Sequence, residues 1–138
     1  MPNSANSAGY SGTPLWKKLG LKNGMRALRL GAPDDYDDLI AGGPYVDWDP
    51  NVGELDFAHV FATDRSILSG HIEDLRHKIA PNGMIWASWP KKASKVPTDI
   101  TEDTIRSIAL PIGLVDVKVC AVDATWSGLK LVIRKELR

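Results

Sequence analysis

The sequence is short of cysteine, of phenylalanine and of net charge. One cysteine, Cys120, occurs in 138 residues. It can form no internal disulfide and fits a reducing compartment, so the cytoplasm is the expected location. No apolar run approaches the roughly 18 residues that suggest a membrane span, so no membrane partner is expected. Met1 to Ser11 lacks the basic start and apolar core of a secretory leader. Seventeen basic side chains balance seventeen acidic ones. That balance argues against a general binder of nucleic acid or of an anionic membrane. No internal repeat is present. Several catalytic signatures are missing too: no phosphate-binding Walker loop, no Gly-any-Ser-any-Gly elbow and no His-Glu-any-any-His zinc motif. His59, His71 and His77 form no metal-ligand spacing. Cys120 lies in a valine-rich stretch and reads as a small buried side chain rather than a nucleophile.

What is present is ordinary globular material. Hydrophobic residues make up 43% and charged residues 25%, and the length predicts a single domain. Residues 1–12 hold too little apolar matter to bury and read as a loose arm. Residues 13–138 form the expected domain.

Thr13 and Pro14 resemble a helix cap and first position, with a short helix Leu15–Leu19 stopped by Gly20. After an Asn23-Gly24 turn, Met25–Leu30 reads as a strand ended by Gly31-Ala32-Pro33. Asp34–Ala41 reads as a short amphipathic helix and Tyr45–Trp48 as a short strand. Leu55–Ala62 is a strand apolar on both faces. Thr63-Asp64 caps a long helix, Arg65–Ala80, with Leu68, Ile72, Leu75 and Ile79 as its buried stripe and Pro81-Asn82-Gly83 as its stop. Met84–Trp89 is a strand, and Pro90–Thr98 is a polar loop. Asp99 or Thr101 caps a helix buried through Ile105, Ile108, Ala109 and Ile112. Leu114–Val122 and Leu129–Arg134 read as an antiparallel hairpin, with Val115, Val117, Val119 and Ala121 facing one way. Strands separated by helices predict an α/β fold: an open, mostly parallel sheet with a C-terminal antiparallel hairpin.

Ligands of such sheets bind outside the carboxyl ends of the strands. Gly31, Ala32 and Pro33 lie at one such end, as a ligand loop or as a plain tight turn. Thr63 and Asp64 lie at another, where Asp64 either accepts hydrogen bonds from a ligand or caps the helix. Trp89, Lys91 and Lys92 lie at a third, where two ammonium groups beside an indole would hold a phosphate, a carboxylate or an acidic segment. Trp126 stands in the expected hairpin turn, covering the cleft or meeting a partner.

Several phrases, taken in order, resemble the class I fold of S-adenosylmethionine-dependent methyltransferases, which is Rossmann-like. Asn23–Gly31 resembles its first strand and glycine turn. Leu55–Ala62 resembles its fourth strand. Leu75–Trp86 is similar to its helix, Pro-Asn-Gly turn and fifth strand, and the final hairpin resembles its sixth and seventh. One strand–helix unit is missing or shortened. Gly9–Pro14, Trp89–Ser94, Leu114–Cys120 and Trp126–Lys135 are further similar to a small bacterial family designated domain of unknown function (number 3052). That likeness implies a bacterial origin and the same fold, and no activity.

The fold resemblance implies S-adenosylmethionine as cofactor. Its loop pattern, acidic-any-Gly-any-Gly-any-Gly, reads here Arg29, Leu30, Gly31, Ala32, Pro33, Asp34, Asp35. Only one glycine remains, and arginine replaces the acid. Asp47 or Asp49 stands where a ribose-binding acid would be. The leading expectation is therefore a non-catalytic, methyltransferase-like scaffold. It would bind a small anionic or zwitterionic ligand, or a protein partner, at the edge lined by Gly31, Thr63, Asp64 and Trp89–Lys92. The alternatives are a divergent S-adenosylmethionine-dependent methyltransferase and a structural subunit with Trp16, Trp48 and Trp126 at an interface. No oligomeric state is assigned. Charge is divided along the chain: residues 1–33 carry five bases and no acid, and residues 34–56 carry eight acids and no base.

Overall fold

In a computed structural model, which describes residues 12–51 and 53–138, six strands form one sheet. The elements run α1 (Leu15–Leu19), β1 (Met25–Leu30), α2 (Tyr36–Leu39), β2 (Val46–Trp48), β3 (Leu55–Phe61), α3 (Arg65–Arg76), β4 (Ile79–Pro90), α4 (Glu102–Ala109), β5 (Leu114–Ala121) and β6 (Trp126–Ile133). The strand order is β2-β1-β3-β4-β6-β5. The first four strands are parallel; β6 runs against both β4 and β5. This is the mixed, Rossmann-like sheet expected. Most of the expected arm falls outside the described residues.

The sheet has two unlike faces. On one, Ala58, Val60, Ile85, Ala87, Leu129 and Leu131 pack under the stripe Leu68, Ile72 and Leu75 of α3 and under Ile105, Ile108 and Ala109 of α4. On the other, α1 and the residues after it cover the centre: Leu19 and Leu21 pack on Ala27, Phe57 and Trp86. The Trp86 Nε1–H donates to the Leu19 carbonyl at 2.9 Å, fixing α1 against β4.

Several boundaries differ from expectation. Pro14, not Thr13, holds the cap position of α1. The second helix shrinks to four residues, in a stretch where Asp34, Asp35, Asp37 and Asp38 crowd like charges together. The third helix ends at Arg76, because the His77 and Lys78 N–H groups turn back to the Asp74 and Leu75 carbonyls. Ile79 therefore starts β4 instead of ending the helical stripe. Pro81-Asn82-Gly83 is not a stop: it lies inside β4, where pairing jumps from Leu55 with Ile79 to Phe57 with Met84. That bulge leaves Pro81 without a ladder partner to satisfy. Thr101 caps α4 in a capping box with Thr104. Asp99 serves the other helix, accepting from the Arg65 N–H at 2.7 Å.

The valine pattern of β5 also fails. A bulge between Asp116 and Lys118 breaks the alternation, so Val115 is opposite Val132 while Val119 is opposite Leu129. Neighbours of that kind share a face, and Val132 and Leu129 lie on different faces. Val117 and Val119 are each 54% exposed on this edge strand.

Candidate functional site

The carboxyl ends of β1, β3 and β4 meet around one buried side chain, His59. It stands on β3 between Phe57 and Phe61, and period-two alternation puts all three on the face toward α2. His59 Nδ1 lies 2.9 Å from the Tyr36 hydroxyl, and Nε2 lies 2.8 Å from Ser88 Oγ. Both ring nitrogens are thus partnered in a fully buried side chain. Burial lowers the imidazole pKa to about 3, so the ring is neutral at pH 7. Burial also raises the Tyr36 phenol far above its usual value, with the nearby Arg29 cation opposing in part.

Aromatic rings close this end of the sheet. His59 stacks on Phe61 with centroids 4.2 Å apart. Tyr36 sets its edge against Trp48, His59 and Phe61, and Trp126 meets Phe61 edge-on at 5.1 Å. The Arg29 guanidinium lies 4.6 Å from the Trp48 ring centroid and 5.3 Å from that of Tyr36. It also pairs with Asp37 at 2.5 Å. The position where the fold resemblance places an acid therefore holds a cation stacked on two rings.

Gly31 has φ +69°, and a Cβ there would stand 2.5 Å from the Phe61 carbonyl oxygen. Its glycine is required by left-handed backbone and by contact with the end of β3. Pro33 offers no N–H, and its carbonyl accepts from Tyr36 N–H at 3.0 Å.

The remaining expected site residues separate. Asp64 caps α3, accepting from Ile67 N–H at 3.0 Å and from the Ser66 hydroxyl at 2.6 Å. These bonds, the Ser66 hydroxyl first, hold its carboxyl below the usual range. Thr63 is exposed; its carbonyl accepts from the Thr98 hydroxyl at 2.7 Å. Asp47 is exposed on edge strand β2, with Arg26 as its strand partner. Lys91 is drawn into the β5–β6 connection, its ammonium donating to the Asp123 carbonyl at 2.6 Å. Lys92 points away from it and lines a groove of about 460 Å³ with Trp89, Lys95, Thr98 and Thr101. Asp64 lines a different groove, of about 500 Å³, with Arg65, Ser69, Glu73 and Asp99. Neither groove includes Gly31, Ala32, Pro33, Asp47 or Trp126.

Two tryptophan expectations change with this. Trp126 begins β6 rather than sitting in a turn, and Trp16, Trp48 and Trp126 are half-buried packing residues, not exposed ones. Reasoning from sequence missed the Tyr36–His59–Ser88 chain. Its one visible signal was a histidine alternating with two phenylalanines in Phe57–Phe61.

The fold has known counterparts. The chain is similar to a SAM-dependent methyltransferase from Aquifex aeolicus, at 16% identity and TM-score 0.64, covering 86% of this chain and 87% of that one. It is similar to the N-methyltransferase NodS from Bradyrhizobium japonicum, at 11% identity and TM-score 0.54, covering 82% and 88%. It is also similar to magnesium protoporphyrin IX methyltransferase from Synechocystis, solved with bound SAM, at 11% identity and TM-score 0.55, covering 88% and 74%. At such identities the likeness carries the fold alone. No family model and no curated protein matches the chain, so membership of the small bacterial family remains an expectation.

Proposed function

We propose that the chain is a non-catalytic, methyltransferase-like scaffold that binds a small anionic or zwitterionic ligand in the groove beside Trp89. The observation that carries this reading is the packed end of the sheet. Arg29, Tyr36, Trp48 and His59 pack on one another beside the glycine turn, the place that the fold resemblance implies for a cofactor. The residues do not suit S-adenosylmethionine in the pose its glycine loop implies. The loop touches the β3 backbone, α2 is a single turn, and the one surviving glycine serves a turn. His59 is sealed from solvent, so it offers no general base to a substrate.

The groove supplies complementary chemistry. Lys92 and Lys95 are exposed ammonium groups in no ion pair among the described residues. Lys95 holds φ +62° just after the short turn Lys92–Ser94, which keeps both lysines on one loop. A carboxylate or phosphate end would meet these two groups, and the body of the ligand would lie on the Trp89 indole.

Calorimetric titration with S-adenosylmethionine and S-adenosylhomocysteine tests the first half, with no saturable heat expected. Stoichiometric binding of either would overturn the non-catalytic reading in favour of a divergent methyltransferase. Thermal shift with acetate, phosphate and betaine tests the second half. The Lys92→Ala/Lys95→Ala variant should lose whatever shift the wild type shows, and an identical response in both proteins would remove the groove.

A further inference from the structure

The sheet face opposite α3 and α4 carries a cluster of lysines beyond the cover of α1. Lys118 of β5 and Lys130 of β6 are direct cross-strand partners. Like charges placed opposite one another weaken a sheet. The Lys118 ammonium donates to the Lys18 carbonyl at 3.2 Å, which brings the end of α1 against the pair. Lys130 has its ammonium pKa lowered, first by burial and then by the positive charges of Lys118 and Lys22. Burial raises the neighbouring Cys120 thiol, with the positive charges of Lys18, Lys118 and Lys91 opposing.

No carboxylate answers this charge. Among the described residues none of the four lysines takes part in an ion pair. Residues 1–11 and Val52 contribute no Asp or Glu. Acids nearby along the chain are engaged elsewhere: Asp116 with Arg106, Asp123 with the N–H groups of Thr125 and Trp126, and Glu136 with Arg134.

We propose that Lys18, Lys22, Lys118 and Lys130 form a binding site for a compact polyanion bearing two or more linked phosphates. Lysine meets phosphate as a point charge and demands no planar geometry. Lys118 commits one N–H to Lys18, leaving two donors for a ligand. Adjacent strands lie about 4.8 Å apart, so one oligophosphate chain reaches both sheet lysines. The cluster is compact, confined to two adjacent strands and the end of α1. That shape suits a short oligophosphate better than an extended nucleic-acid backbone, which needs a run of phosphate contacts. The site is independent of the Lys92–Lys95 groove and stands or falls without it.

The test is calorimetry with tripolyphosphate, orthophosphate and a single-stranded oligonucleotide, at about 50 and 200 mM salt. The wild type should bind one tripolyphosphate per chain, at least about tenfold more tightly than orthophosphate, and more weakly at high salt. Lys118→Gln/Lys130→Gln should weaken tripolyphosphate at least about tenfold, whereas Lys92→Ala/Lys95→Ala should not change it. Removing the opposed charges relieves the sheet, so the Lys118→Gln/Lys130→Gln protein should melt at or above the wild-type temperature. Misfolding would then not explain the lost binding. The proposal is overturned by no saturable heat with tripolyphosphate, or by equal affinity in wild type and that variant. It is equally overturned if the oligonucleotide binds more tightly than tripolyphosphate.

Discussion

His59 keeps its proton off where a free imidazole would take one up. Its pKa stands near 3 in the folded chain against 6.5 for an unhindered histidine. Below pH 6.5 the unfolded chain therefore binds a proton that the folded chain refuses. The stability that the neutral ring supplies is whole above that pH and drains away toward pH 3. The limiting slope is about 1.4 kcal/mol per pH unit. Urea unfolding between about pH 5 and 6.5, above the usual carboxylate range, should show that fall in the wild type and not in His59→Gln. A flat wild-type profile there would mean that the ring titrates freely. Gly31 permits a second test at the same scale. Gly31→Ala combines left-handed backbone with a carbonyl in the way, and should cost about 2 kcal/mol or more. Gly42 also has positive φ but nothing near its Cβ position, so Gly42→Ala should cost only about 1 kcal/mol. Equal midpoints in urea for the two variants would show that the Phe61 carbonyl yields. Such residue-scale facts were the least legible in the sequence. Tyr36 and Ser88 reach His59 from 23 and 29 positions away, and no local pattern announces that meeting.

Elements were far more legible, because each carries its own periodicity and punctuation. The order of helices and strands, the extent of β1 and the antiparallel hairpin all follow from alternation, stripe spacing and glycine turns. The errors fall where a neighbouring strand decides. Pro81-Asn82-Gly83 looks like a helix stop, yet the pairing of β4 with β3 absorbs it as a bulge. The Val115–Ala121 alternation looks like one apolar face, yet a bulge against β6 splits it. The correction is measurable. Val119→Thr at its exposed edge position should change stability by less than about 0.5 kcal/mol, whereas its cross-strand neighbour Leu129, 2% exposed, should cost about 2–5 kcal/mol as Leu129→Ala. Caps give a further element-scale expectation. Thr101→Ala removes the capping box of α4 and should cost about 1 kcal/mol by urea unfolding. A neutral result would show that the Ile105–Ala109 packing alone holds the helix.

At the scale of the whole molecule, fold and site part company. The sheet order agrees with a methyltransferase fold, while among the described residues the expected edge residues Asp64, on one hand, and Trp89 and Lys92, on the other, line two different grooves. The sequence could rank residues by their place at strand ends. It could not say that Lys91 turns to the Asp123 carbonyl while Lys92 faces the groove, since that choice depends on how the β5–β6 connection folds over β4. The strand order has one more consequence. It places β2, with α2 beside β1, at one side of the sheet and the Lys118–Lys130 pair at the other. The acids of residues 34–56 thus stand across the sheet from those lysines. A chain with no net charge carries an acid-rich segment and a lysine cluster at opposite sides of its sheet. Near its isoelectric pH it should be retained by both anion- and cation-exchange resins at low salt, presenting opposite sides to each.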